Sequence, residues 1–166
     1  MDTSETKLKD SFSKTGLDRT DRKILKALQA AGRLSNADLA DEVNVSAATC
    51  HRRTQRLIDE GFIGSFRAMI NPGAVDRGAL VMVGVVLDRS TPKSFEAFET
   101  AIRNLSFVLD CHLVAGDFDY FLKVRVRDMS DFNKLHGEQL IAFPGVRQIR
   151  SFFVIKEVTD NALLDF

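Results

Sequence analysis

A chain of 166 residues, 45% hydrophobic and 28% charged, has a globular composition and room for one ordinary domain or two small ones. Its formal net charge is zero, which excludes a partner held by a general electrostatic field and leaves local patches as the means of binding a charged one. No apolar run approaches the roughly 18 residues of a membrane span, and Met1-Asp2-Thr3-Ser4-Glu5 is followed by no signal-like stretch. Cys50 and Cys111 lie far apart, as reduced thiols of a cytoplasmic protein would, and neither the cysteines nor His51, His112 and His136 show metal-ligand spacing.

Residues 1–16 are polar with isolated Leu8 and Phe12, and read as a loose arm or a short first helix. The first firm helix opens at Asp18, an N-cap type, with Asp21 three residues on. Ile24, Leu25, Leu28 and Ala31 recur at helical spacing, and Gly32 is placed as a C′ glycine. A second helix starts at Ser35, with Asp38 in its first turn and Leu34 and Leu39 set for a hydrophobic staple, and stops near Asn44. A very tight turn leads to Ser46, the N-cap of a third helix that Gly61 ends. Three short helices with a tight turn between the last two match a helix-turn-helix. The apolar residues of 62–70 then predict a strand that leads into the Asn71-Pro72-Gly73 turn.

The rhythm changes after a linker at 71–78. The pattern predicts strands over 79–87, 107–115, 120–126 and 146–158, the last bent near Ser151. It predicts helices over 92–103 and 130–142, the second capped by Ser130. The order β-α-β-β-α-β is ferredoxin-like. The expected class is α+β: a winged helix-turn-helix over 17–70, a ferredoxin-like domain over 79–158 and a tail over 159–166. Helices cover one face of such a sheet, so its other face suits a partner subunit.

Spaced 100° apart, Ala47, Cys50, Thr54, Leu57 and Ile58 gather on one side of the third helix, and Thr49, Arg52, Arg53 and Arg56 on the other. Residues 46–58 carry no acid, whereas Asp59 and Glu60 stand at the far end. A helix entering the major groove presents its N-terminal residues to base edges, and arginine pairs bidentately with guanine. Thr49 and Arg52 are therefore the expected base contacts, flanked by His51 and Arg53; Ser46 stands where free helix amides can hold phosphate. Arg56 suits either phosphate or an internal ion pair.

These motifs, with Leu17-Asp18, Ile24-Leu25, Leu39-Ala40, Gly61-Phe62-Ile63 and Gly116-Asp117-Phe118-Asp119-Tyr120, resemble the leucine-responsive regulatory protein/AsnC (feast/famine) family of bacterial and archaeal transcription regulators, over 17 to about 160. The resemblance implies double-stranded DNA as partner, dimers through the β-sheets, assembly into tetramers or octamers, and an amino-acid effector in the C-terminal domain, with no other cofactor. It implies a cytoplasmic, nucleoid-associated regulator of amino-acid metabolism. It also places the effector near Gly116, Asp117, Phe118, Asp119 and Tyr120, with Met82, His136 and Ser151 as further lining.

Two other functions compete. A small ferredoxin-like hydrolase would need a nucleophile with its base, a phosphate loop or a metal set, and the sequence offers none. An amino-acid-sensing assembly module without a DNA role is opposed by the intact helices of 17–61.

Overall fold

The structure, a computed structural model, describes residues 16–166; the expected arm lies outside the described residues except for Gly16. The chain forms two compact units. One runs to Met69 and includes Asn161–Phe166; the other is Ile70–Asp160.

The first unit holds α1 (Arg19–Ala30), α2 (Asn36–Val43) and α3 (Ala47–Asp59). Each starts on the cap expected for it, because Asp18, Ser35 and Ser46 each accept the backbone amide three residues on. Ile24, Leu25 and Ala27 of α1 meet Leu39, Ala40 and Val43 of α2 and Cys50 and Leu57 of α3 in one core. The α2–α3 turn is tight because Asn44 adopts the left-handed conformation (φ 58°) and Val45 N–H closes on Ala40 C=O at 3.0 Å. Gly61 (φ 79°) ends α3 in the same way.

Three local expectations need correction here. Gly32 follows the Ala31 cap, in the C′ place expected for it, but is not left-handed; the Ala31 amide closes the helix on Ala27 C=O. Ile58, expected on the inner side of α3, is 37% exposed. Residues 62–70 form no strand, and Phe66, Met69 and Ile70 are exposed. Apolar alternation makes a strand only where a ladder partner accepts its backbone, and among the described residues none lies alongside.

The second unit begins with a 3₁₀ turn (Pro72–Val75) and continues as β1 (Ala79–Leu87), α4 (Pro92–Ile102), β2 (Val108–Leu113), β3 (Tyr120–Val126), α5 (Met129–Leu135), a π turn (His136–Leu140) and β4 (Val146–Phe153). The sheet order is β2-β3-β1-β4, all neighbours antiparallel, as the ferredoxin-like pattern demands. Strand alternation sorts its faces. Val81, Val83, Val85 and Leu87 of β1 and Tyr120, Leu122, Val124 and Val126 of β3 pack under Phe98, Ile102, Phe132 and Leu140. Each such side chain, removed from water, stabilises the fold by about 1.5–3 kcal/mol.

The intervening residues, among them Met82, Gly84, Phe121, Lys123 and Arg125, form the other face. After β4 the chain turns over this face, tied by Glu157 to Arg125 (2.7 Å) and by Asp160 to Lys123 (3.0 Å). That departure ends β4 at Phe153, short of the expected 158. The irregularity expected at Ser151 lies instead between Val86 and Leu87 of β1, where the β4 register shifts. The helix expected from a Ser130 cap starts one residue earlier, because the Asp128 carboxylate takes the Asp131 amide at 2.8 Å while Ser130 stays exposed. It widens to a π turn at His136, and Leu140 reaches the core.

Candidate nucleic-acid interface and effector loop

The start of α1 governs how α3 presents its side chains. Asp18 and Asp21 form a reciprocal capping box: Asp21 N–H donates to Asp18 Oδ1 (2.8 Å) and Asp18 N–H to Asp21 Oδ2 (3.1 Å). Asp21 is 1% exposed, and a buried carboxylate needs a cationic partner. Two arginines of α3 supply it. Arg53 Nη1 donates to Asp21 Oδ1 (2.9 Å) and Asp18 Oδ2 (2.6 Å), and Arg56 Nη2 donates to Asp21 Oδ2 (2.5 Å). The Asp21 amide and then the Arg53 guanidinium hold the Asp18 carboxyl below its ordinary value; Asp18 and Asp21 in turn raise Arg53.

Arg53, expected as a flanking DNA contact, has its guanidinium turned into the helical unit by this network. For Arg56 the ion pair is the alternative found. What α3 leaves outward is a different stripe, Ala48, Arg52, Gln55 and Asp59, at i, i+4, i+7 and i+11, with His51 beside it. His51, Arg52, Gln55 and part of Arg56 line one open surface cleft that ends at Asp59 and Glu60. Ser46 and Thr49 are engaged at the helix start, where Ser46 Oγ donates to Thr49 Oγ1 (2.9 Å) and accepts the Thr49 amide. Asn36 braces that start by donating to Ala47 C=O at 3.0 Å. Charge alone does not single out Gln55; its position three residues after Arg52 does. The pairing role of Asp18 and Asp21 has no local signal beyond their caps.

The loop between β2 and β3 is built around Asp119. Its carboxylate accepts Leu87 N–H (2.7 Å) and Ser90 Oγ–H (3.1 Å), and its own amide donates to Val85 C=O (2.9 Å). This acid, expected near the effector, closes the loop onto the end of β1. Tyr120 is 1% exposed, its hydroxyl donating to Glu99 Oε1 at 2.9 Å, and burial and then Glu99 raise its pKa far above the ordinary tyrosine value. Phe118 instead lies over Gly84, where a Cβ would stand 2.6 Å from its ring. It packs edge-on against Phe121 (5.0 Å between centroids), with Arg150 5.8 Å from its centroid.

Gly116 (φ 147°) and Asp117 are exposed, and nothing stands within 4 Å of where a Gly116 Cβ would be. The eight residues expected to line one effector site are not brought together. Met82 and Phe118 belong to the outer face, whereas Ser151, in register with Val83, and His136, stacked 5.9 Å from Phe132, belong to the helix-covered side. Ser151 Oγ is buried without a partner among the described residues. Gly84, Glu99 and Arg150 escaped sequence reasoning; a lone glycine inside the valine-rich run of β1 is the one signal that points to a close approach. Among the described residues no group of three or more His, Cys, Asp or Glu is arranged to hold a metal ion.

Comparison with known proteins covers both units. Residues 80–164 match the family model described as "Lrp/AsnC ligand binding domain", and residues 17–63 match "Winged helix-turn-helix DNA-binding". The leucine-responsive regulatory protein of Escherichia coli K12 is 46% identical over 154 residues, which span 92% of this chain and 94% of that protein. Its counterpart from Serratia marcescens is 47% identical over 145 residues, 87% and 88% of the two chains. Among solved structures, a Neisseria meningitidis transcriptional regulator in complex with L-Met aligns with a TM-score of 0.85 at 34% identity, over 90% of this chain and 96% of that one. An AsnC family transcriptional regulator from Agrobacterium tumefaciens aligns with a TM-score of 0.84 at 28% identity, over 90% and 97%.

Proposed function

The chain belongs to the Lrp/AsnC family of transcription regulators, and from that premise we propose that it binds a specific duplex DNA sequence through α3 and answers to a free amino acid through its ferredoxin-like unit. The observation that carries the DNA reading is the outward stripe of α3. His51, Arg52 and Gln55 are exposed, with the Gln55 amide donating to Asp59 at 2.9 Å, the acids wait at the far end, and the start of the helix can address phosphate. In this reading Arg52 and Gln55 address base edges, and Ser46 and Thr49 present the helix start. Arg53 and Arg56 aim the helix from behind.

The net charge of zero fits a small patch repeated by assembly. Dimers would form through the outer sheet face, which shows the aromatic set Phe118, Phe121 and Phe152, and sets of dimers would present several α3 helices to one bent duplex. No helix among the described residues is long and apolar enough to cross a membrane. A chain that acts on the genome of a bacterium or archaeon would work in the cytoplasm, at the nucleoid.

The amino-acid reading rests on the matched ligand-binding model and on the L-Met held by the Neisseria relative. The exposed backbone of Gly116 and Asp117 offers polar groups for a carboxylate or ammonium. Selection from a random duplex pool tests the first half, and calorimetry against an amino-acid panel that includes L-Met tests the second. A chain that enriches no sequence loses the DNA reading; one that binds no amino acid of the panel loses the sensor reading.

A further inference from the structure

The helix-turn-helix unit closes around the end of its own chain. Gln29 of α1 holds Leu164 at two points: Leu164 N–H donates to Gln29 Oε1 at 2.9 Å, and Gln29 Nε2 donates to Leu164 C=O at 3.1 Å. A side-chain amide that satisfies both polar groups of one residue reads extended backbone as a neighbouring strand would, whatever side chain that residue carries. Leu164 is 74% exposed, so its backbone is what is held.

Two residues on, Phe166 is 38% exposed and its ring centroid lies 5.6 Å from the Lys26 ammonium. With Leu164 it forms one wall of an apolar groove of about 420 Å³, whose other walls include Leu17, Leu25 and Leu28 with Phe62 and Phe66. Asp165 also meets Lys26, at 3.3 Å, but its side chain is 99% exposed, and a pair so hydrated contributes little.

We propose that the last six residues are an intramolecular ligand of the helix-turn-helix unit, recognised by Gln29 through the Leu164 backbone and by the groove through the Phe166 ring. The occupant is this chain's own terminus. It is already seated, it belongs to the same compact unit, and its one ring covers apolar surface of α1 that α2 and α3 leave open. One amide pair and one ring make a shallow hold, so the tail exchanges between docked and free. When docked it braces α1, whose opposite end carries the carboxylates that orient Arg53 and Arg56. The latch is independent of the DNA-binding reading, and its test contains no DNA.

The test is native-state amide exchange at Leu164 in the full chain. Gln29→Ala and Phe166→Ala are each expected to speed that exchange roughly fivefold to tenfold, the worth of a lost hydrogen bond or a lost ring contact. Asp165→Ala is expected to change it less than twofold. Exchange as fast in the parent chain as in Gln29→Ala, or an Asp165→Ala effect larger than that of Phe166→Ala, would overturn the proposal. Protection that rises with protein concentration would overturn it too, because the occupant would then be a second copy's tail. A chain ended after Asp160 gives a second measurement by NMR titration with a peptide of residues 157–166. Saturable shifts on Gln29 that a Phe166→Ala peptide fails to reproduce support the latch, and no shift on a folded truncated chain refutes it.

Discussion

The buried carboxylate of Asp21 meets the guanidinium of Arg56 at 2.5 Å across the packed faces of α1 and α3. Arg53 reaches the same carboxylate from one turn earlier, at 2.9 Å. A helix that reads a groove must hold its angle while its outer side chains engage, and this three-residue contact sets the angle from inside the unit.

Removing the shared anion should therefore cost more than removing either cation. Asp21→Ala is expected to lower stability by about 2 kcal/mol: less than a fully buried pair, because both arginines keep some contact with water. Urea unfolding followed by circular dichroism measures it, and a loss no greater than that of Arg56→Ala would show that the carboxylate is not the hub.

The two neighbouring arginines should part company in function. Arg52→Ala is expected to leave the urea midpoint in place and to weaken specific duplex binding, since a bidentate base contact carries roughly 1–3 kcal/mol of discrimination. Arg53→Ala should lower both stability and DNA affinity. If gel-shift titrations showed Arg52→Ala binding like the parent chain, the outward stripe would not be the reading face.

Acid should loosen the helical unit in part through Asp18. Its folded pKa lies below the ordinary value of 3.8, so the stabilisation is complete above that value. It is lost as pH falls below 3.8 and through the folded pKa. Stability measured between about pH 6 and about pH 2.5 should drop less steeply in Asp18→Asn than in the parent. Parallel curves would mean that other carboxylates dominate the acid limb.

Gly84 gives a test of the loop seat. A methyl group there would stand 2.6 Å from the Phe118 ring, so Gly84→Ala must push the ring aside, at a cost of about 1–3 kcal/mol. Adding Phe118→Ala should recover much of that loss, which a double-mutant cycle reads directly. Additive losses would show that ring and glycine do not compete for the same space.

Asp119 and Asp117 should behave oppositely. Asp119→Ala breaks charge-assisted bonds to Leu87 N–H and Ser90, each worth about 1.5–3 kcal/mol, and should destabilise the sheet unit. Asp117, exposed and without a role in closing the loop, should be silent in stability when replaced by alanine. Any effect it has would be on amino-acid binding, read by calorimetry; a large loss of stability in Asp117→Ala would contradict the division.

Much of this was legible without coordinates. Helix caps at Asp18, Ser35 and Ser46, the helix ends at Asn44 and Gly61, the apolar run of β1 and the alternation of β3 follow from rules that act over a few residues. The order of those elements sufficed for the ferredoxin-like topology and for the family resemblance. Local rules faltered where a remote partner decides. Residues 62–70 alternate like a strand and pair with nothing among the described residues, and β4 leaves the sheet early because Glu157 and Asp160 answer to Arg125 and Lys123.

The sequence by itself determined that α3 has one basic side and one apolar side, because helical spacing is local geometry. Only the tertiary structure decided which arginines on that basic side remain available. Arg52 and Arg53 are adjacent and chemically identical, yet a carboxylate 32 residues before Arg53 is buried at the helix crossing and claims it, while Arg52 points away. A buried charge must be neutralised by whatever the fold brings within reach, and sequence spacing does not carry that distance.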